Sequence, residues 1–125
     1  MRGLDAIDDD DFKYEYFRLY DLYNLYGVDS ISMVFKVQNE LLSERIYLTT
    51  KKLIRSLDMV TKLEDEQFYY IVLMFPFADK ASAFGFMNRL LHKLGDVNED
   101  SFEHMTFNFS KKNLFEKYLG SDHAE

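Results

Sequence analysis

The stretch that decides the fold is Arg55–Phe68, which reads RSLDMVTKLEDEQF. It begins with an arginine and an aspartate three residues apart at the end of a helical pattern, and an acidic turn, Glu64–Gln67, lies near its end. The most hydrophobic run of the chain follows directly. Because two apolar segments joined by a tight polar turn are typical of a β-hairpin, strands are predicted at Met59–Leu63 and Phe68–Phe75.

Apolar periodicity on either side of the hairpin predicts the remaining elements. Strand-like alternation with one well-buried face covers Ser30–Val37, and a second alternating segment covers His104–Phe109. Helical spacing between capping and terminating residues predicts helices to about Tyr26, from Asn39 to about Leu57, from Asp79 to about Leu94, and over Lys111–Leu119. The inner faces of the second and third helices are expected to consist of Leu42, Ile46, Leu53, Leu57, Ala83, Phe84, Met87, Leu90, Leu91 and Leu94.

The predicted order is helix, strand, helix, hairpin, helix, strand, helix. Strands whose connecting helices return to one sheet give an α/β (α+β) sandwich, and the β-α-β-β-α-β core is the ferredoxin-like, palm-type arrangement with helices on the faces of its sheet. No linker, repeat or low-complexity segment divides the chain. One domain is therefore expected over residues 1–125, with an acidic segment and a helix at 1–27 and the core at 28–120.

Composition narrows the classes of function. Of the 125 residues, 47% are apolar, which argues against a disordered chain, and the net charge of −7 argues against broad binding to a nucleic-acid backbone. A compact anion held by a few arginines is compatible with that charge. The chain has no cysteine for a disulfide or a thiolate metal site, and no apolar run long enough to span a bilayer. The expectation is a cytoplasmic protein, or a soluble part of a larger assembly, without membrane insertion.

Two N-terminal features each have two interpretations. The aspartate run Asp8–Asp11 is expected to cap the first helix; metal binding is the alternative, although adjacent carboxylates do not converge without other ligands. The helix carries a tyrosine-rich stripe that either packs on its own domain or contacts a partner or a second copy. The stripe consists of Phe12, Tyr16, Leu19, Tyr20 and Tyr23. The three histidines have no metal-ligand spacing, and no Walker A or Gly-x-Ser-x-Gly motif occurs.

The central stretch resembles a pair of motifs in the diguanylate cyclases. Arg55-Ser56-Leu57-Asp58, five further residues and then Glu64-Asp65-Glu66-Gln67-Phe68 are similar to that family's RxxD motif, its five-residue spacer and its GGDEF motif. The resemblance covers about residues 20–110. In the family, RxxD forms an inhibitory site for the product cyclic di-GMP, and GGDEF is the active-site turn at the tip of a hairpin. The register of the following helix puts Arg89 near the position of the inhibitory site's second arginine.

Departures from the family pattern imply that catalysis is lost. Glu64 and Asp65 replace the two glycines that let the backbone approach the substrate, and their charges repel a triphosphate. Lys36 occupies the region of the first metal-binding aspartate, which reverses the charge that Mg²⁺ needs. The segment between Lys36 and Arg55 is also shorter than in the family. The resemblance therefore implies no enzymatic activity, no metal and no cofactor beyond a bound nucleotide.

The retained motif has the chemistry of a guanine site. A guanidinium matches the paired acceptors O6 and N7 of guanine and also pairs with phosphate. Asp58 is expected to accept from guanine N1–H and the exocyclic amine, and Gly85 leaves space for a base one turn before Arg89. An ordinary i,i+3 ion pair is the alternative for Arg55 and Asp58. The resemblance thus predicts a cyclic di-GMP site formed by Arg55, Asp58 and Arg89, with Lys62, Lys93 and Arg45 as auxiliary candidates.

The implied function is that of a non-catalytic cyclic di-GMP receptor. The chain is similar to the receptor domains of bacterial exopolysaccharide machines of the PelD type, in which the ligand regulates polymer production and biofilm formation through a membrane-associated synthase or export partner. The alternative is a GGDEF-like scaffold that has lost nucleotide binding and contacts a protein partner, or a second copy, through the Tyr14–Tyr26 helix. Residual nucleotide-cyclase activity is a third interpretation.

Overall fold

The computed structural model describes residues 5–6 and 10–109. A short 3-10 turn at Glu99–Ser101 precedes the last strand. The elements are β1 (Asp5–Ala6), α1 (Asp10–Tyr26), β2 (Ile31–Val37), α2 (Glu40–Leu53), β3 (Met59–Glu64), β4 (Tyr69–Phe75), α3 (Lys80–Leu94) and β5 (Glu103–Asn108). The hairpin, the strand before it and the strand near residue 104 are thereby confirmed.

The strands form one antiparallel sheet in the order β1-β3-β4-β2-β5. From β2 to β5 the elements follow the predicted β-α-β-β-α-β sequence, and the order of these four strands is ferredoxin-like. Strand β4 lies between β3 and β2, as its continuous apolar run predicts. The edge strand β1 was not predicted, because a two-residue pairing carries no periodicity.

Helices cover both faces of the sheet. On one face α2 and α3 bury a core whose helical members are Ile46, Ala83, Phe86, Met87, Leu90 and Leu94. On the other face α1 packs Tyr16 and Leu19 against Val34, Val72 and Met74. The predicted buried face of β2 is confirmed, and α1 also covers the opposite side, which carries Ser32 and Val34 and was not expected to be buried. For Tyr16 and Leu19, the structure confirms the interpretation of the stripe as packing on its own domain.

The prediction that α2 reaches Leu57 was wrong. The helix ends at Leu53, and the backbone of Ile54 is already extended. Leu57 is 66% exposed and does not belong to the inner face of the helix. The helix stops because the side chain of Asp58 accepts a hydrogen bond from the backbone N–H of Arg55, which stabilises a turn instead of a further helical turn.

Helix α3 differs from its prediction at one aromatic position. Phe84 was expected in the core but is 73% exposed, whereas Phe86 is 1% exposed and packs against Phe75. A stripe through residues 83, 86, 87, 90 and 94 has the spacing of one helix face, and Phe84 falls beside it. The boundaries of α3 are confirmed, since Asp79 caps its start and Gly95, with φ of 79°, ends it.

Several predicted features lie outside the described residues. They are Asp8, Asp9, the predicted helix Lys111–Leu119 and residues 120–125. Within the described part of the chain, no helix combines the length and the apolar character needed to cross a membrane.

Candidate functional site

The RxxD motif forms a tight ionic turn between α2 and β3. Asp58 Oδ2 accepts from the backbone N–H of Arg55 at 2.8 Å, and Oδ1 accepts from Nη2 of the Arg55 side chain at 2.7 Å. Arg55 Nε donates to both carboxylate oxygens at 3.0 Å. The Asp58 side chain is 2% exposed and that of Arg55 is 56% exposed. A buried carboxylate therefore holds a guanidinium that remains open to solvent.

This arrangement fixes both the charge and the direction of Arg55. The hydrogen bond with Asp58 raises the pKa of Arg55 above its ordinary value, while partial burial of the guanidinium opposes that shift. Both oxygens of Asp58 are occupied by Arg55. In this geometry, Asp58 could accept a hydrogen bond from a guanine N–H group only if Arg55 gave up at least one contact.

An open groove of about 540 Å³ lies between this turn and the first half of α3. The structure brings Arg55, Asp58 and Arg89 to its walls, together with Gly85, although Arg89 is more than thirty residues further along the chain. The other lining residues are Phe75, Asp79, Ala81, Ser82 and Phe86. Sequence reasoning missed Phe75 and Asp79 as wall residues, because the pairing of Met59 with Met74, which places the end of β4 beside the RxxD turn, leaves no periodic signal in the sequence.

Arg89 lies back along its own helix. A side chain added at Gly85 would place its Cβ 3.6 Å from Arg89 Nη1, and the Arg89 guanidinium carbon is 5.8 Å from the centre of the Phe86 ring. Within the described part of the chain, no ion pair engages Arg89. The charge of Arg89 is therefore available at the groove, beside Gly85, where the helix carries no side chain.

The groove is not purely basic, because it contains two carboxylates beside its two arginines. Asp79 caps α3 by accepting from the backbone N–H of Ser82 at 3.0 Å and from its hydroxyl at 3.1 Å. These hydrogen bonds lower the pKa of Asp79, so it is ionised at neutral pH. The formal charges of Arg55, Arg89, Asp58 and Asp79 cancel, which favours a ligand that combines anionic groups with hydrogen-bond donors.

The degenerate turn lies at the opposite end of the hairpin, beyond Glu64, roughly 17 Å along a six-residue strand. Asp65 Oδ1 accepts from the backbone N–H groups of Gln67 and Phe68, both at 2.8 Å, and Oδ2 accepts from the Tyr70 hydroxyl at 3.0 Å. Burial opposes ionisation of Asp65, but these hydrogen bonds and nearby Lys36 lower its pKa overall. The turn thus uses its own carboxylate to satisfy its backbone N–H groups.

Lys36, Glu66 and the auxiliary cations complete the set of predicted positions. Lys36 Nζ lies 4.2 Å above the centre of the Phe68 ring, at the same end of the sheet as the turn that contains Glu66. Lys62 pairs with Glu44 and Arg45 pairs with Asp96, and neither cation lines the groove; nor does Lys93. Among the described residues, no group of three or more potential ligands is placed to hold a metal ion.

The fold and the paired hairpin motifs define a GGDEF-like domain. The sequence profile of the PelD GGDEF domain matches residues 9–113, and the chain therefore belongs to that family. No curated protein sequence matches the chain.

Two solved structures of PelD 158-CT from Pseudomonas aeruginosa PAO1 share this fold. One matches with a TM-score of 0.73 and 15% identity, covering 97% of this chain and 47% of the PelD chain. The other, a complex of PelD with c-di-GMP, matches with a TM-score of 0.69 and 16% identity, covering 88% of this chain and 44% of that one. The chain thus spans about half the length of these PelD chains. At such identities the likeness concerns the fold alone.

Proposed function

We propose that the domain is a receptor for cyclic di-GMP, which binds in the groove formed by Arg55, Asp58 and Arg89. The observation that carries the proposal is the convergence of these residues, from two separate elements, on one open groove. Membership of the PelD GGDEF family, and the c-di-GMP complex of a PelD with the same fold, support the identity of the ligand. The groove volume lies within the range of about 300–1,000 Å³ common for small-molecule sites.

Each groove residue has a distinct role in this proposal. The exposed guanidinium of Arg55 offers N–H donors to a guanine edge or to a phosphate, while Asp58 keeps it oriented. Arg89 supplies the second cation, and Gly85 leaves room for a flat base beside it. Cyclic di-GMP carries two phosphates and donor groups on its guanine edges, which suits a groove that holds two arginines and two carboxylates.

We propose that the domain has no cyclase activity. At the degenerate turn, the Asp65 carboxylate occupies the backbone N–H groups of Gln67 and Phe68, and Lys36 places a positive charge where the family pattern needs a metal ligand. Incubation with GTP and Mg²⁺ is expected to yield no cyclic di-GMP. Formation of that product above the level of a no-protein control would contradict the proposal.

The proposed biological role is regulatory. By analogy with PelD, ligand binding would favour one arrangement of the domain with a protein partner in a membrane-associated polysaccharide synthase or export system, and so regulate exopolysaccharide production and biofilm formation. Because cyclic di-GMP is an intracellular messenger, this role places the domain in the cytoplasm. The ligand can shift the equilibrium between the two arrangements only by the difference in its binding free energy for them.

A scaffold function is a second candidate, favoured by the outward face of α1. Tyr14, Leu25 and Tyr26 are exposed on this helix although they are large and apolar. Aromatic residues such as these two tyrosines are enriched at the core of protein interfaces, so the 14–26 segment is a candidate contact for a partner or a homodimer. Replacing Leu25 and Tyr26 with Ser and following self-association by sedimentation tests the dimer.

Titration calorimetry with cyclic di-GMP tests the receptor proposal. The wild type is expected to bind at micromolar ligand, and Arg55→Ala and Arg89→Ala are each expected to weaken binding by about tenfold or more, since each removes a charge-assisted hydrogen bond. Arg18→Ala is the matched control, because Arg18 also forms an i,i+3 ion pair, with Glu15, but far from the groove. Absence of heat with the wild type, or unchanged binding in both groove variants, would overturn the proposal.

A further inference from the structure

One turn beside the groove has an unusual backbone. Among the described residues, Phe77 is the one non-glycine residue with a positive φ, at 61°. The N–H of Ala78 donates to the carbonyl of Phe75 at 3.3 Å, which closes a β-turn over residues 75–78. Because proline fixes φ near −65° at the second position, a positive φ at the third makes this a type II turn. Glycine or asparagine normally occupies that third position, since a bulky side chain is strained there.

The peptide between Pro76 and Phe77 links the protein core to the groove. Its N–H donates to Oγ of the buried Ser30 at 2.9 Å, and its carbonyl, on Pro76, accepts from Nη2 of Arg55 at 3.4 Å. The positive φ of Phe77 is what turns this peptide so that both contacts form. A glycine would allow the same backbone geometry without strain, so the backbone alone does not explain a phenylalanine at this position.

The ring of Phe77 has no role in the described core. Its side chain belongs to neither buried cluster, and the residue is 56% exposed. Its neighbours two positions away in each direction, Phe75 and Asp79, both line the groove, and the preceding carbonyl contacts Arg55. A strained and exposed aromatic residue therefore follows directly on the carbonyl group that contacts Arg55, a wall residue of the groove. Strained backbone of this kind is concentrated at functional sites.

We propose that Phe77 is a ligand-contact residue, whose ring stacks on a purine base held at Arg55. This inference rests on the proposed receptor function and adds a contact that the RxxD motif does not contain. Every nucleobase has a π-face, so an aromatic platform adds affinity irrespective of edge hydrogen bonds. Arg55 would then read the edge of the base while Phe77 covers its face. Deleting the ring is expected to weaken binding by about tenfold or more.

Substitutions at Phe77 distinguish the effect of the aromatic ring on binding from the effect of the turn conformation on stability. Phe77→Gly and Phe77→Asn keep the turn and relieve its strain, so their melting temperatures are expected to equal or exceed that of the wild type, while cyclic di-GMP binding weakens about tenfold or more. Phe77→Tyr is expected to bind like the wild type, and Phe77→Leu like the glycine variant. Phe84→Ala is the matched control, because it removes another exposed ring, one that lines a different pocket with Ala83 and Met87.

A fluorescence measurement detects the stacking directly. The chain contains no tryptophan, so Phe77→Trp introduces a single reporter. Added cyclic di-GMP is expected to quench its emission with the midpoint found by calorimetry, and to leave the emission of Phe84→Trp unchanged. Wild-type-like binding by Phe77→Gly or Phe77→Leu, or failure of Phe77→Tyr to bind better than Phe77→Gly, would overturn the inference. Absence of binding by the wild type would instead overturn the receptor proposal.

Discussion

The two ends of the β3–β4 hairpin each depend on one aspartate, with opposite results. At one end the buried carboxylate of Asp58 holds Arg55, whose guanidinium is exposed to the groove. At the other end the carboxylate of Asp65 accepts hydrogen bonds from Gln67, Phe68 and Tyr70 of its own hairpin. The first aspartate directs a cation outward, and the second uses its hydrogen-bonding capacity within the turn.

This difference shows how the RxxD motif can keep an exposed cation while the turn that corresponds to GGDEF engages its carboxylate internally. Both ends are stable local structures, because each carboxylate is fully engaged in hydrogen bonds. The Arg55 end leaves a guanidinium exposed beside a second arginine, Arg89, on the wall of the same groove. The turn at Glu64–Phe68 can therefore depart from the GGDEF pattern without loss of the fold, and stability alone does not distinguish the two ends as candidate ligand sites.

The largest effect is expected from Asp58→Ala. It leaves the backbone N–H of Arg55 without its acceptor and the guanidinium without its anchor, which should lower the free energy of unfolding by about 2 kcal/mol and also weaken cyclic di-GMP binding. Thermal denaturation should show a melting temperature several degrees lower. The control is Glu15→Ala at the exposed Arg18 ion pair, with a change of about 0.5 kcal/mol or less. Equal melting temperatures for the two variants would contradict the anchoring role of Asp58.

Gly85→Ala should separate stability from binding at the groove. The new Cβ meets Arg89 Nη1 at 3.6 Å, an ordinary contact, so the free protein accommodates it and gains about 0.5–1 kcal/mol from the better helix former. The same methyl group takes space where a base is proposed to lie, so affinity for cyclic di-GMP should fall several-fold. Denaturant unfolding and calorimetry on the same sample measure both quantities. Higher stability with unchanged affinity would place the base elsewhere.

A smaller effect is expected from the pH dependence of the degenerate turn. The folded-state pKa of Asp65 lies below its ordinary value of 3.8, so the carboxylate stabilises the fold above about pH 4, and this contribution is lost as the pH falls through the folded-state pKa. Asp65→Asn should therefore be less stable than the wild type at pH 7, with the difference shrinking below pH 4. Melting temperatures of both proteins between pH 2 and 7 provide the test; a constant difference would contradict this role of Asp65.

Local sequence signals predicted most of the fold. Gly27, Pro76, Asp79 and Gly95 mark element ends through backbone chemistry that acts within a few residues, and the elements do end or begin there. The end of α2 was missed because Leu57 continues the helical spacing, and only the hydrogen bond from Arg55 N–H to Asp58 reveals the competing turn.

Only part of the candidate site could be predicted, because motif spacing identifies residues but not the contacts that depend on the placement of separate elements. Arg55, Asp58 and Arg89 were identified through the spacing of a motif resemblance, and the structure brings all three to one groove. The contact of Arg55 with the Pro76 carbonyl was out of reach, because it depends on the side-by-side placement of two strand ends and on the positive φ of Phe77. Neither property leaves a periodic signal in the sequence.

The most direct test of the central claim is an amide chemical-shift titration of the ¹⁵N-labelled protein with cyclic di-GMP, because it reports both ends of the hairpin at once. The account predicts saturable shifts at residues 55–58, 76–79 and 82–89, with residues 64–70 unchanged. Shifts concentrated at residues 36–38 and 64–70, or no shifts at saturating ligand, would contradict it.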